Sequence, residues 1–361
     1  MARVTSKKPA EKKRKEKKEP SLKPVMRWLF FCAASVFIMA VIGAITRLTE
    51  SGLSIVRWEP IAGALPPLNA AEWDKAFDAY KQSPQYLKVN SGMDLAAFKQ
   101  IFFWEWLHRL WGRLIGVFYA LPLLYFWGRI PADKRPAFLG ILALGGLQGL
   151  IGWWMVKSGL VNDPAVSHYR LALHLMTAVV IYACLFRLAL VIGMRPVRDA
   201  GKLSRLRGFV RACIGAVLLT MTWGAFTAGL DAGMVYNDTF PYMGSELWPA
   251  ELLQTKPLWR AILTEHASVQ FIHRLLAVLA FIKILLLVKR ALPFNPPARL
   301  RKILVGLAVA ACAQVGLGVA TVMSHVNIHA AASHQAGALV LLTLLVWLLH
   351  EIPVMKKEQQ A

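Results

Sequence analysis

The sequence predicts an all-α membrane protein of eight transmembrane helices, arranged as two pseudo-twofold-related four-helix bundles with both termini cytoplasmic. Three observations predict it. Eight separate apolar stretches have bilayer length, basic residues alternate between the segments that join them, and motifs of the first half recur in the second. With 57% hydrophobic residues and a mean hydropathy of +0.47, the chain is too apolar for an ordinary soluble domain of 361 residues. Lys and Arg outnumber Asp and Glu by 42 to 20, a formal charge of +22. In a soluble protein that excess would suggest nucleic acid. Here it sits in the N-terminal tail and in short segments between apolar runs, so membrane lipid is the expected partner and nucleic acid is not.

The tail, residues 1–24, is Lys-rich but also carries Glu11, Glu16 and Glu19. That mixture fits neither a transit peptide nor a cleaved secretory signal; it fits a cytoplasmic tail that touches anionic lipid. A span needs about 20 apolar residues. The stretches that qualify are Val25–Thr46, Phe102–Trp127, Ala137–Val156, Tyr169–Met194, Gly208–Gly229, His266–Val288, Lys302–Met323 and His329–Ile352. Basic residues concentrate in the tail, around Arg129–Arg135, Arg195–Arg211 and Lys289–Lys302, and at Lys356 and Lys357. The intervening loops are poor in Lys and Arg or balance them with acid. The positive-inside rule then puts both long loops outside, in a multi-pass protein of the bacterial inner membrane.

The chain thus divides into a basic tail (1–24), a first bundle (25–194) with outer loop 47–100, and a linker (195–207). A second bundle (208–352) with outer loop 230–265 and a short tail (353–361) complete it. Trp58, Pro60, Pro66, Pro67, Trp73 and Phe77 in the first loop, and Tyr236, Pro241, Tyr242, Trp248, Pro249 and Trp259 in the second, predict structured interfacial caps with short amphipathic helices. Cys32, Cys184, Cys213 and Cys312 all lie in apolar runs, where they read as small buried apolar residues.

The halves share motifs in one order. Gly43-Ala44-Ile45-Thr46 with Glu50-Ser51-Gly52-Leu53 answers Gly224-Ala225-Phe226-Thr227 with Asp231-Ala232-Gly233-Met234. Trp106-Leu107-His108-Arg109-Leu110 answers Phe271-Ile272-His273-Arg274-Leu275, Gln148 and Gly152 answer Gln314 and Gly318, and His174 answers His334. Four spans per repeat is an even number, so both repeats enter the membrane the same way, as parallel repeats do.

An ionisable residue within a span is costly and usually functional. His108, His174, His273 and His334 all fall within about 6–12 Å of the outer boundary at 1.5 Å per residue. Two histidines per bundle, at like depth on different helices, is what axial ligation of a haem iron requires. Zinc or copper would want further ligands nearby. His168, His266, His325, His329 and His350 lie at span ends or in loops and read mostly as interfacial or solvated, with contact to a propionate or substrate as the alternative. Glu105 shares a helix face with His108, whereas the matching residue of the second half is Gln270. Glu105 is either a proton-handling group or the partner of Arg109 or Arg113 in a structural pair. Arg109 and Arg274 follow their histidines directly and either neutralise propionates or anchor at the interface.

These residues resemble haem A synthase. The similarity rests on Thr46-Arg47-Leu48-Thr49-Glu50-Ser51-Gly52-Leu53-Ser54 through Trp58, on Pro66-Pro67, on Glu105-Trp106-Leu107-His108-Arg109-Leu110-Trp111-Gly112-Arg113, and on Phe271-Ile272-His273-Arg274. It covers all eight spans. The resemblance implies an oxidoreductase that converts the C8 methyl of haem O, its substrate, to the formyl group of haem A for terminal cytochrome oxidase. It implies His273 and His334 as ligands of a haem b cofactor, His108 and His174 as binders of the substrate haem, and Glu105 as the catalytic carboxylate. Haem O synthase (the protohaem farnesyltransferase) and oxidase assembly factors are the implied partners, and homo-oligomerisation stays open. Some members carry a cysteine pair in the first outer loop; this chain has none there, and its long first loop looks like the proteobacterial and mitochondrial form. Two other readings compete. A dihaem b-type electron-transfer protein would place haems at two depths, and a parallel-repeat transporter would carry its polar residues at the bilayer midplane.

Overall fold

The computed structural model describes residues 21–57, 62–160, 164, 166–197 and 201–352. Most of the N-terminal tail, the tail 353–361, and Trp58 and Pro60 of the first loop lie outside the described residues. The described residues form α1 (Lys23–Leu48), α2 (Ala70–Lys81), α3 (Pro84–Lys88), α4 (Leu95–Phe126), α5 (Arg135–Gly159) and α6 (His168–Gly193). They continue as α7 (Arg207–Gly229), α8 (Glu251–Gln254), α9 (Leu258–Thr264), α10 (His266–Ala291), α11 (Ala298–Met323) and α12 (Ile328–Glu351). Eight of these helices, α1, α4 to α7 and α10 to α12, are long and apolar enough to cross a membrane. They coincide with the eight expected stretches apart from their edges.

The largest edge difference is instructive. The apolar run of the second span begins at Phe102, yet α4 starts at Leu95, where the Asp94 side chain accepts from the Ala97 amide at 2.8 Å and caps the helix. The two extra turns do not face lipid. Phe98 and Phe102 are buried against Phe77 and Tyr80 of α2, with Trp73 and Tyr86 packed around them. The first long loop is therefore a cap built on an extension of α4, as its aromatic content anticipated. Cys32 and Cys213 are buried and Cys184 is half-buried, but Cys312 is exposed, which corrects the expectation of four buried cysteines. It lies beside Ala311, which faces the core, and so turns outward from α11.

In the first half α1 packs on α4 and α6, and α5 packs on α6; in the second half α7 packs on α10 and α12, and α11 packs on α10 and α12. The halves meet through α6 on α7, α12 on α1, and α6 on α12. Their common motif is also a common backbone. After α1 and after α7 the chain passes through a left-handed residue, Glu50 (φ 53°) and Asp231 (φ 51°), into a single 3-10 turn, Ser51–Leu53 and Ala232–Met234.

Polar ties cross between halves at three levels. On the side of the long loops, Arg47 donates to Asp231 at 2.6 Å and to the Ala228 carbonyl at 2.8 Å. Within the bundle, Gln335 donates to the Ala40 carbonyl at 2.7 Å, and the Tyr182 and Thr343 hydroxyls are 2.5 Å apart. At the opposite end, the fully buried Glu351 accepts from Arg299 at 2.7 Å, from the Val197 amide at 3.0 Å and from the Trp347 indole at 3.0 Å. Arg207 donates to the carbonyls of Leu349 and Ile352 beside it. The segment joining the halves is thus pinned by one carboxylate. Removing one partner of a fully buried pair costs about 3–5 kcal/mol. Arg299 is 39% exposed, so Glu351→Ala should cost less, about 2 kcal/mol. Thermal unfolding in detergent should show it as a lowered midpoint, with Arg299→Lys closer to the parent.

Candidate functional site

Each of the four predicted histidines is braced by a glycine on a neighbouring helix. A Cβ added at Gly43 of α1 would stand 3.1 Å from Cε1 of His108 on α4, and one at Gly152 of α5 would stand 2.9 Å from Cε1 of His174 on α6. The second half repeats this: the distances are 3.0 Å from Gly224 of α7 to His273 on α10, and 2.9 Å from Gly318 of α11 to His334 on α12. A side chain at any of these positions would force the ring to shift, so all four glycines let the Cε1 edge of an imidazole approach a helix backbone closely. His174, His273 and His334 lie six or seven residues into their helices, about 10 Å from the loop-side ends at 1.5 Å per residue. His108 is further from the start of α4 only because that helix projects into the cap.

The rings of His273 and His334 have centroids 6.3 Å apart and planes at 89°. A metal–imidazole bond is about 2 Å, and the ring centre lies about 1 Å beyond the nitrogen. Two imidazoles on opposite sides of one iron therefore need centroids about 6 Å apart. The second-half pair has that spacing. Nδ1 of His273 lies 3.1 Å from the Thr220 carbonyl, to which it can donate only when protonated, leaving the Nε2 lone pair to a metal. Nδ1 of His108 is buried with no hydrogen-bond partner among the described residues. The amide nitrogens of Gln148 and Gln314 lie 3.2 Å from Nδ1 of His174 and His334 and also donate to the backbone carbonyls of those histidines, at 3.0 and 2.9 Å.

The halves differ in charge. Glu105 is 3% exposed. Its Oε1 accepts from Arg109 at 2.6 Å, and its Oε2 accepts from the Ser54 hydroxyl and the Ile55 amide at 2.7 Å each. Arg109 also donates to the carbonyls of Ile55 and Arg57 at 2.9 and 3.2 Å. Of the alternatives open in the sequence, the structure contains the Glu105–Arg109 pair. In the second half Gln270 donates to the carbonyls of Ala232 and Val235 at 2.8 Å each. Among the described residues Arg274 donates to the Tyr236 carbonyl alone, at 3.5 Å, and its Nε and Nη1 are buried without partners there. Arg113 follows Arg109 by one turn; the matching residue in the second half is Val278.

They differ in shape as well. Past His108, α4 presents Gly112 and Gly116, and past Gly152, α5 presents Gly149 and Gly145 on the same helix face. Nothing stands within 4 Å of a Cβ at Gly116, Gly145 or Gly149. At the matching positions the second half has Ala277 and Phe281 on α10, and Val315 and Ala311 on α11. Helices α4 and α5 also touch more sparsely than α10 and α11.

Among the remaining histidines, His350 corrects the expectation of a solvated residue. It is 6% exposed, with Nδ1 2.9 Å from Arg187 and Nε2 3.1 Å from the Met194 carbonyl. A polar residue at a span end was legible in sequence; its burial depends on α6 packing against α12. His168 lies 2.9 Å from the Leu263 carbonyl, and His325 lies 3.3 Å from Asp238. The bracing role of the four glycines escaped the sequence, although each recurs at a fixed place in the repeat.

The COX15-CtaA family, described as cytochrome oxidase assembly protein, matches residues 26–346. A heme A synthase of Rhodospirillum centenum is 50% identical over 341 residues, covering 94% of this chain and 91% of that protein. Heme A synthases of Nitrosospira multiformis and Agrobacterium fabrum are 46% and 44% identical, covering 91% of this chain in both cases and 94% and 90% of those proteins. With its eight apolar helices and its doubled histidine–glycine pairs, the chain belongs to the COX15-CtaA family of cytochrome oxidase assembly proteins, alongside these haem A synthases.

Proposed function

We propose that the chain oxidises the C8 methyl of haem O to a formyl group, with the first half holding that substrate and the second half holding a haem b. The observation that carries the assignment of halves is the perpendicular His273–His334 pair, whose 6.3 Å spacing fits one iron between them. When bound, haem b supplies one-electron chemistry, so electrons removed from the methyl can pass onward. The Thr220 carbonyl opposite Nδ1 of His273 supports a fixed, ligating tautomer there. No such partner meets Nδ1 of His108, which suits a site that must take up and release its haem.

Haem O also carries a long apolar prenyl chain. The open backbone at Gly116, Gly145 and Gly149 beyond His108 and His174 offers room for it, and Phe281, Ala311 and Val315 stand at the matching positions of the second half. Glu105 belongs to the substrate half. Three donors hold it in place, and the geometry supports an electrostatic role toward a reacting methyl. It also ties the first outer loop to α4. The basic segments between spans support cytoplasmic termini and an inner-membrane location. Because haem O is membrane-borne, a farnesyltransferase that supplies it and an oxidase that consumes haem A are the expected partners.

Co-expression with a source of haem O, followed by haem extraction and mass spectrometry, should reveal haem A; its absence in a folded, haem b-loaded protein would refute the activity. His273→Met and His334→Met should each alter the spectrum of the bound b-type haem. Glu105→Gln should lower haem A yield by about 10²-fold while leaving that spectrum intact. Gly116→Phe and Gly149→Val, which copy the bulk of the second half, should reduce haem O turnover without loss of haem b.

A further inference from the structure

Arg109 and Arg274 each follow a histidine, on helices that match in the repeat, yet they meet opposite surroundings. Arg109 is neutralised at 2.6 Å by Glu105 and donates to two loop carbonyls besides. Arg274 forms no ion pair with any described residue, because Gln270 stands where Glu105 would be. Two of its nitrogens are buried without an acceptor. Its Nη2 reaches the Tyr236 carbonyl at 3.5 Å, and its guanidinium lies 5.4 Å from the Phe240 ring, so it points toward the long loop.

A buried guanidinium with unfilled donors costs folding energy unless an anion completes it. The group beside His273 that can do so is a carboxylate at the loop-side edge of a haem, where propionates also reach water. The further cation of the first half, Arg113, lies one turn further along α4 from the loop side, where the second half has Val278.

We propose that Arg274 binds a propionate carboxylate of the haem held by His273 and His334, and that Glu105, by occupying Arg109, denies the first half that grip so that its haem exchanges. The exchange of Glu105 for Gln270 thereby strengthens the hold on the second haem relative to the first. This rests on the assignment of haem b to the second half.

The full-length protein, purified with its haem, tests it through haem transfer to excess apomyoglobin and through the reduction potential. Arg274→Gln should keep the bis-imidazole spectrum, lose haem at least tenfold faster, and shift the potential downward, because a cation that favours the reduced haem is gone. Arg274→Lys should restore most of both. Gln270→Glu, which installs the first-half arrangement without deleting the arginine, should also release haem faster. Transfer rates and potentials that match the parent in Arg274→Gln and Gln270→Glu would overturn the proposal. A parent protein lacking a bis-imidazole spectrum would overturn the underlying assignment instead.

Discussion

Everything in this molecule depends on imidazoles lying against helix backbone. Four times a glycine on one helix lets a histidine of the next approach to about van der Waals contact, at distances of 2.9–3.1 Å from where a Cβ would be. That contact sets the separation of α1 from α4, α5 from α6, α7 from α10 and α11 from α12. In a membrane, where apolar burial does little to hold helices together, close backbone approach and interhelical hydrogen bonds are the main sources of association. The functional rings are thus placed by the same contacts that hold the bundles together.

Around this repeated frame the halves have diverged in three linked ways. Among the described residues, the second half supplies a carbonyl for Nδ1 of His273, leaves Arg274 without an acid, and carries Phe281 and Val315 where the first half has glycine. The first half leaves Nδ1 of His108 unpartnered, pairs Arg109 with Glu105, and keeps glycine at Gly116 and Gly149. On the proposed assignment, one set of choices suits a group that stays and the other a bulky apolar guest that comes and goes. A duplicated bundle can make this change cheaply, since few substitutions alter the site while the glycine–histidine contacts remain.

Glu105 shows how a single side chain can serve both fold and site. Its three donors come from α4 and from the turn after α1, so it closes the first loop over the helix that bears His108. Gln270 closes the second loop by donating to two carbonyls, without bringing a charge. The same mechanical task is done with opposite hydrogen-bond polarity.

The sequence alone determined the eight spans and the doubling of the chain, because apolar length and motif order are local properties that survive without a partner. It also singled out His108, His174, His273 and His334, since an ionisable residue in an apolar run stands out regardless of packing. Tertiary structure alone decided what each polar group meets. The Glu105–Arg109 pair, the unfilled donors of Arg274 and the burial of His350 all depend on segments distant in the chain. The extension of α4 beyond Phe102 was hidden for the same reason: apolar residues bound for lipid and those bound for an aromatic cap look alike until α2 is seen lying on them. Hydropathy reports that a side chain leaves water; only packing reports where it goes.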